Sequence, residues 1–322
     1  MKVIVFGSFV VDLTSRSEKL PIPGETVLGS VFKSGPGGKG SNQAVAAHRA
    51  GGDVLLATKI GDDVFGKTAI DFYEKEGMDT RYVWTSREKE TGTALILVEE
   101  QSGQNMIVVT LGACGSICEQ EVLELEKEMK DTEYLLVQLE TEEDTLEQVT
   151  SLAEKYGVKI VLNPAPARPL SPILLSRLEI ITPNETEAQA LTGIKVENSA
   201  EASRASHILL DQGVKSVIIT MGDQGAFVSD GVHEAMLEAI PVSVADTTGA
   251  GDAFNGCLVC ALAEGRNLYE AAKFANAAGA LCVSRVGTAP AMPERVEIDA
   301  LYQKIYMQDQ IESSLESKED IA

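Results

Sequence analysis

The chain has 322 residues, and 49 Asp plus Glu against 27 Lys plus Arg leave a formal charge of −22. That balance argues against nucleic acid as the main partner, because backbone phosphates need a basic footprint, and against an anionic membrane surface. A small anionic substrate stays open, since the field of a pocket is local while net charge is global.

The acid is uneven: residues 119–147 carry 12 carboxylates and two lysines, and residues 309–322 carry five carboxylates and one lysine. These stretches read as solvated helix faces and a flexible acidic tail at 309–322. With 44% hydrophobic and 24% charged residues the chain has material for an ample core. No apolar run reaches the ~18 residues of a membrane span. No leader-like segment precedes the strand-like Val3 to Phe6, so a cytoplasmic location is expected. Cys257 and Cys260 form a CxxC inside a helical pattern without a second pair, which reads as small buried hydrophobes. His48, His207 and His233 form no ligand pattern.

In chain order, 2–7 reads as a buried strand, Leu20 to Gly24 as a turn and 26–34 as an exposed strand. A helix follows from Ser41 to Ala50, then a strand at 53–59, a helix at 64–75 and a strand at 80–84. Strands at 92–98 and 105–110 form a hairpin that, with the 12–34 region, breaks the surrounding rhythm and reads as a small β appendage. From 119 the rhythm is regular: helix 119–130, strand 134–139, helix 143–156, strands 158–162 and 178–181, helices 185–191 and 199–212, strand 215–220. Such alternation indicates parallel-sheet crossovers. Strand-like pieces at 226–229, 233–237 and 241–244 precede helices at 251–263, 268–283 and 293–307.

The strongest motif is Asp246-Thr247-Thr248-Gly249-Ala250-Gly251-Asp252, between an apolar strand and an apolar helix. Gly249, Ala250 and Gly251 let the backbone bend round a ligand, and free helix-start N–H groups make an anion hole. Asp252 at that mouth is placed to take a proton from a hydroxyl; the plain alternative is a capping aspartate. The motif is not GxGxxG, since Phe254 holds the third position, and Gly38-Lys39-Gly40-Ser41 is not a Walker P-loop, since Gly40 separates Lys39 from Ser41.

The turn 35–43 feeds a helix and offers Lys39 and Asn42 to a polar ligand, as a polyol would require. Asp12 and Glu140 each follow a strand, where open α/β sheets bind ligands; alone, each reads as a surface acid. Thr220-Met221-Gly222-Asp223-Gln224-Gly225 reads as a nucleotide cradle or a hairpin turn, and Asn184 as a nucleotide contact or a helix cap.

Taken with Gly7-Ser8 through Asp12, Pro36 to Ala44, Gly61 to Gly66, Asn163 to Ala167 and Pro183-Asn184-Glu185, the chain resembles the ribokinase (PfkB-type carbohydrate kinase) family over about residues 3–307. The resemblance implies a three-layer α/β sandwich with a mostly parallel central sheet and a small β-sheet lid, residues 1–308 forming the kinase domain. It implies a sugar beneath the lid and ATP with Mg²⁺ across the sheet edge. The base and anion hole fall on Asp252 and Gly249, Ala250 and Gly251. Sugar contacts fall on Val10, Val11, Asp12, Gly38, Lys39, Gly40, Ser41, Asn42 and Glu140. Nucleotide contacts fall on Asn184, Thr220 to Gly225, Gly251, Asp252 and Asn276. A monovalent cation, K⁺ by resemblance, would draw on Asp246, Thr248, Cys282, Arg285, Gly287 and Ala291, and a homodimer would form through the lid strands.

Two departures stand out. Val10 sits where ribokinases commonly have Asn, which removes a donor and an acceptor and brings 2-deoxyribose forward as an acceptor; Ala291 replaces a Ser beside the cation. The reading is transfer of the ATP γ-phosphoryl group to O5 of D-ribose. The alternatives are 2-deoxy-D-ribose, a nucleoside or another sugar, and last a non-catalytic sugar-binding protein.

Overall fold

Alternation of apolar residues along each strand divides the main sheet into two faces. Val3, Val5, Leu56, Tyr134, Leu136 and Val161 enter one buried cluster, while Ile4, Phe6, Leu55, Leu135, Val137 and Ile160 enter the other. A period of two on strands buried on both sides needs helices above and below, and this gives three layers. The computed structural model describes residues 2–307; the acidic tail expected at 309–322 lies outside them. Among the described residues no helix is long and apolar enough to cross a membrane.

The strands are β1 (Lys2–Phe6), β2 (Val10–Ser17), β3 (Gly29–Gly37), β4 (Asp53–Gly61), β5 (Asp79–Ser86), β6 (Thr91–Glu99), β7 (Asn105–Gly112), β8 (Thr132–Val137), β9 (Lys159–Leu162), β10 (Leu178–Ile181), β11 (Ser216–Thr220), β12 (Ala226–Ser229) and β13 (Glu234–Leu237). The main sheet runs β13-β12-β11-β10-β9-β8-β1-β4-β5, antiparallel only at β12 and β13. A second, mixed sheet runs β3-β2-β6-β7, with β2 and β6 parallel. The three-layer sandwich with an accessory sheet is thus as the sequence implied.

One layer holds the helices Lys39–Arg49 and Ala250–Ala263, packed against each other. Gly256 allows this: a Cβ there would lie 2.3 Å from the Gln43 carbonyl oxygen. The two helix starts, both needed by the site, are brought together by that contact.

Differences from the sequence reading have local causes. Strand β2 was not expected because its side chains are mostly half-buried and polar, so no apolar period marks it. The 241–244 piece is not a strand; Pro241 lacks the ladder donor and Val244 is exposed. Strand β8 stops at Val137, leaving Gln138 to Glu140 free of the ladder. Helix 119–130 breaks at Leu125 into Glu119–Glu124 and Glu126–Met129. Pro172–Arg177 is an unforeseen helix, capped by Ser171 with Pro172 in its first turn. The last helix covers Arg295–Tyr302 before a wider turn through Met307.

Candidate active site

Strand β1 is where the chain reverses direction across the main sheet: β4 and β5 lie on one side of it, β8 to β13 on the other. Ligands bind outside the carboxyl ends of strands at such a point. Here Ser8, just past β1, donates through its hydroxyl to Glu140 Oε2 at 2.5 Å, just past β8. The backbone N–H of Lys39 donates to the same oxygen at 3.0 Å.

Across this crevice Gly249, with φ 82°, turns the chain into the helix Ala250–Ala263. No side chain caps the first turn, so its N–H groups face the crevice without helical acceptors. Asp252 in that turn is buried, 7% exposed. Asn42 Nδ2 donates to its Oδ2 and Gln43 Nε2 to its Oδ1, each at 2.9 Å. The other end of Asn42, Oδ1, is buried without a hydrogen-bond partner. An orphaned acceptor costs free energy that a ligand hydroxyl restores.

Asp12, on β2, accepts from the Thr288 hydroxyl at 3.0 Å. Burial, aided by the charges of Glu140 and Asp252 and opposed by the Thr288 bond, pushes its carboxyl up to about 6. Lys39 is depressed by burial, but the carboxylates of Asp252, Glu140 and Glu187 outweigh this and hold its ammonium above the ordinary lysine range. Asp12, Lys39, Asn42, Glu140 and Asp252 therefore converge. Val10 joins them on the face of β2 that carries Asp12, whereas Val11 points into the core beside Phe9. Gly38 and Gly40 supply backbone only, Gly40 lying against Gly7 and Ser8. Ser41 turns inward, its hydroxyl accepting from Tyr73 at 2.9 Å.

On the nucleotide side, Asn184 pairs with Thr220 as an isolated bridge and caps the helix Glu185–Thr192. Met221 is fully buried in the core, and Gln224 turns away to the Glu197 carbonyl at 3.1 Å. Gly222 and Asp223 of this turn are exposed and Thr220 is half-buried, while Gly225 is buried, where a Cβ would lie 2.0 Å from the Leu237 carbonyl oxygen. Asn276 donates to Glu238 O at 2.9 Å and to Tyr306 Oη at 2.8 Å. Glu187, which the sequence reading did not single out, faces Lys39; burial raises its carboxyl. Its signal was the Asn184-x-x-Glu187 capping box. Gln43, Asn163 and Thr288 were also unassigned.

Asp246 Oδ1 accepts from Thr248 N and Oγ1 at 3.0 and 2.7 Å, and its Oδ2 accepts from Gly287 N at 3.1 Å. This draws the 246–248 and 282–291 loops together, with Cys282 Sγ 3.9 Å from Thr248 O. The Arg285 guanidinium pairs with Glu297 at 2.5 Å, and the buried Ala291 has no side-chain oxygen. Any cation here would rely on Asp246 and backbone carbonyls.

A family model, pfkB family carbohydrate kinase, matches residues 1–295. The chain belongs to the pfkB family of carbohydrate kinases. Among its relatives this kinase is 41% identical to the ribokinase of Haemophilus influenzae over 293 residues, 91% of this chain and 95% of that one. It is 35% identical to the deoxyribokinase of Salmonella typhimurium over 294 residues, 91% and 96% of the two chains. The structure of Arabidopsis thaliana ribokinase with ribose and ATP has a TM-score of 0.85 to it, with 30% identity, covering 94% of this chain and 98% of that one.

The raised Asp12 carboxyl makes folding stability depend on pH. Its folded value lies above the unfolded 3.8, so the stability is fully present below about pH 4 and falls as pH rises through about 6. Asp12→Asn is expected to gain roughly 1–3 kcal/mol at pH 8 and nothing at pH 4, read by urea unfolding. Parallel behaviour of the two proteins across that range would refute the assignment.

Proposed function

We propose that the kinase transfers the γ-phosphoryl group of ATP to the 5-hydroxyl of D-ribose, giving D-ribose 5-phosphate and ADP. The observation that carries this reading is the unpartnered, buried Asn42 Oδ1 beside Asp252, at the open start of the helix Ala250–Ala263. Asn42, Asp12 and Glu140 present oxygen acceptors to a polyol, which needs short directional bonds and no apolar wall. Asp252 accepts the proton of the attacking hydroxyl as its oxygen bonds to phosphorus and the bond to the ADP oxygen breaks. First-turn N–H groups and Lys39 meet the charge on the transferring phosphoryl oxygens. The small sheet, carrying Asp12 on β2 and joined to Lys39 through the end of β3, closes over the sugar and keeps water from the phosphoryl group.

Among the described residues no group of three His, Cys, Asp or Glu side chains is placed to hold a metal ion. Glu187 and Asn184 are the protein groups that would help hold Mg²⁺ beside ATP. When bound, Mg²⁺ would neutralise charge on the phosphates of ATP. K⁺ would draw at this loop on the Asp246 carboxylate and the Thr248 carbonyl. Five unpaired cysteines accord with a reducing cytoplasm.

A second acceptor, 2-deoxy-D-ribose, is favoured by Val10, 2% exposed on the Asp12 face, which offers no bond to a 2-hydroxyl. The small sheet exposes Phe32, Leu95, Met106 and Val108 on one face, while Val31, Ile107 and Val109 lie on the opposite face, the one that carries Asp12. An apolar face of this extent fits a second copy of the chain, and light scattering should report a dimer that Phe32→Glu dissociates; a monomeric wild type rejects it.

Asp252→Asn is expected to cut kcat at least ~10²-fold with folding intact; near-normal turnover sinks the base assignment. An ATP-consumption screen of ribose, 2-deoxyribose, fructose, nucleosides and sugar phosphates, with K⁺ or Na⁺, is expected to rank ribose first and K⁺ above Na⁺. Higher kcat/KM for deoxyribose would give the site to the second reading, and preference for a nucleoside would reject both.

A further inference from the structure

Behind Asp252 lies a run of neutral amides, all buried, whose hydrogen bonds leave no freedom of orientation. Asn163 Nδ2 donates to the Thr182 backbone carbonyl at 3.1 Å. This fixes which end of Asn163 is oxygen, because a carbonyl cannot accept from an oxygen. The Asn163 Oδ1 so placed accepts from Gln43 Nε2 at 3.0 Å, and the second hydrogen of that same nitrogen goes to Asp252 Oδ1 at 2.9 Å. Both hydrogens of Gln43 are thereby committed. Its Oε1 accepts from Gln138 Nε2 at 2.6 Å.

Flipping Gln43 would set its oxygen against two acceptors and its nitrogen against a donor. The polarity of the whole run is therefore set from a main-chain carbonyl at the end of β10. Gln43 is fully buried and Asn163 and Gln138 nearly so, so water does not rescue a broken link.

We infer that Gln43 is a positioning residue for phosphoryl transfer, holding the Asp252 carboxylate at one angle through Oδ1 while Asn42 holds Oδ2. Gln43 is fully buried, with both its N–H groups spent on Asn163 and Asp252 and its Oε1 accepting from Gln138. Asn42, by contrast, keeps Oδ1 for the ligand. The two neighbours in sequence thus divide the work, one facing the substrate and one facing the base. The inference rests on Asp252 as the base.

The test is steady-state kinetics with ribose and ATP on Gln43→Met, near in volume but without hydrogen bonds, and Gln43→Glu, which sets an acceptor against Asp252. Each is made alone and with Asp252→Asn, with folding checked by thermal melting. Expected for Gln43→Met is a fall in kcat of about 10- to 100-fold with sugar KM within about threefold, and for Gln43→Glu a larger fall. Added to Asp252→Asn, Gln43→Met should cost less than about twofold more, because the pair acts as a unit.

A wild-type kcat in Gln43→Met, or the same fold loss with and without Asp252, overturns the Gln43 role while leaving the base assignment standing. Full activity of Asp252→Asn overturns both. If Gln43→Met fails to fold, Gln138→Met, one bond further from Asp252, should lower kcat by a few-fold with KM unchanged. An unchanged kcat there overturns the inference.

Discussion

A carboxylate taken out of water costs free energy unless donors meet it, and the centre of this kinase is built around meeting that cost at Asp252. Asn42 and Gln43 each give it one N–H. For those two residues to arrive, the helix Lys39–Arg49 must lie directly against the helix Ala250–Ala263, which Gly256 permits. For the amide of Gln43 to point correctly, strands β8, β9 and β10 must end where Gln138, Asn163 and Thr182 can take up the chain of bonds. The main sheet, the helix pair and the reversal at β1 thus serve one geometric requirement.

Around that point the acids are unequal by environment. Asp12 is held high by burial and by its neighbours' charges, while Lys39 stays cationic because three carboxylates surround it. The large negative charge of the chain plays no part in this. Of the acid-rich stretch 119–147, Glu140 is the member drawn into the crevice, where it ties Ser8 to the Lys39 amide.

Much of this was legible in the sequence where the signal is local. Alternating strand and helix periods foretold the parallel crossovers, the family resemblance implied the layers, and the glycines before Asp252 marked the helix start. Side-chain direction in the 220–225 turn was not legible: Met221 faces the core and Gln224 the Glu197 carbonyl. Strand β2 escaped because its polar, half-buried side chains carry no period. Gln43 stood inside a recognised motif, but its role depends on partners 95 to 209 positions away. Thr288 gave no signal at all; its bond to Asp12 spans 276 positions.

Those separations decide when the molecule becomes an enzyme during its synthesis. Strand β1 pairs with β4 and then waits for β8; β2 waits for β6 with Val31 and Phe32 uncovered on its neighbour. Domains take shape from the N-terminus as the ribosome proceeds, yet Asn42 and Gln43 have no carboxylate to hold until residue 252 has left the exit tunnel. Asn42 and Gln43 are thus made early and stay mute, and chemical competence waits for a carboxylate 210 and 209 positions further along the chain.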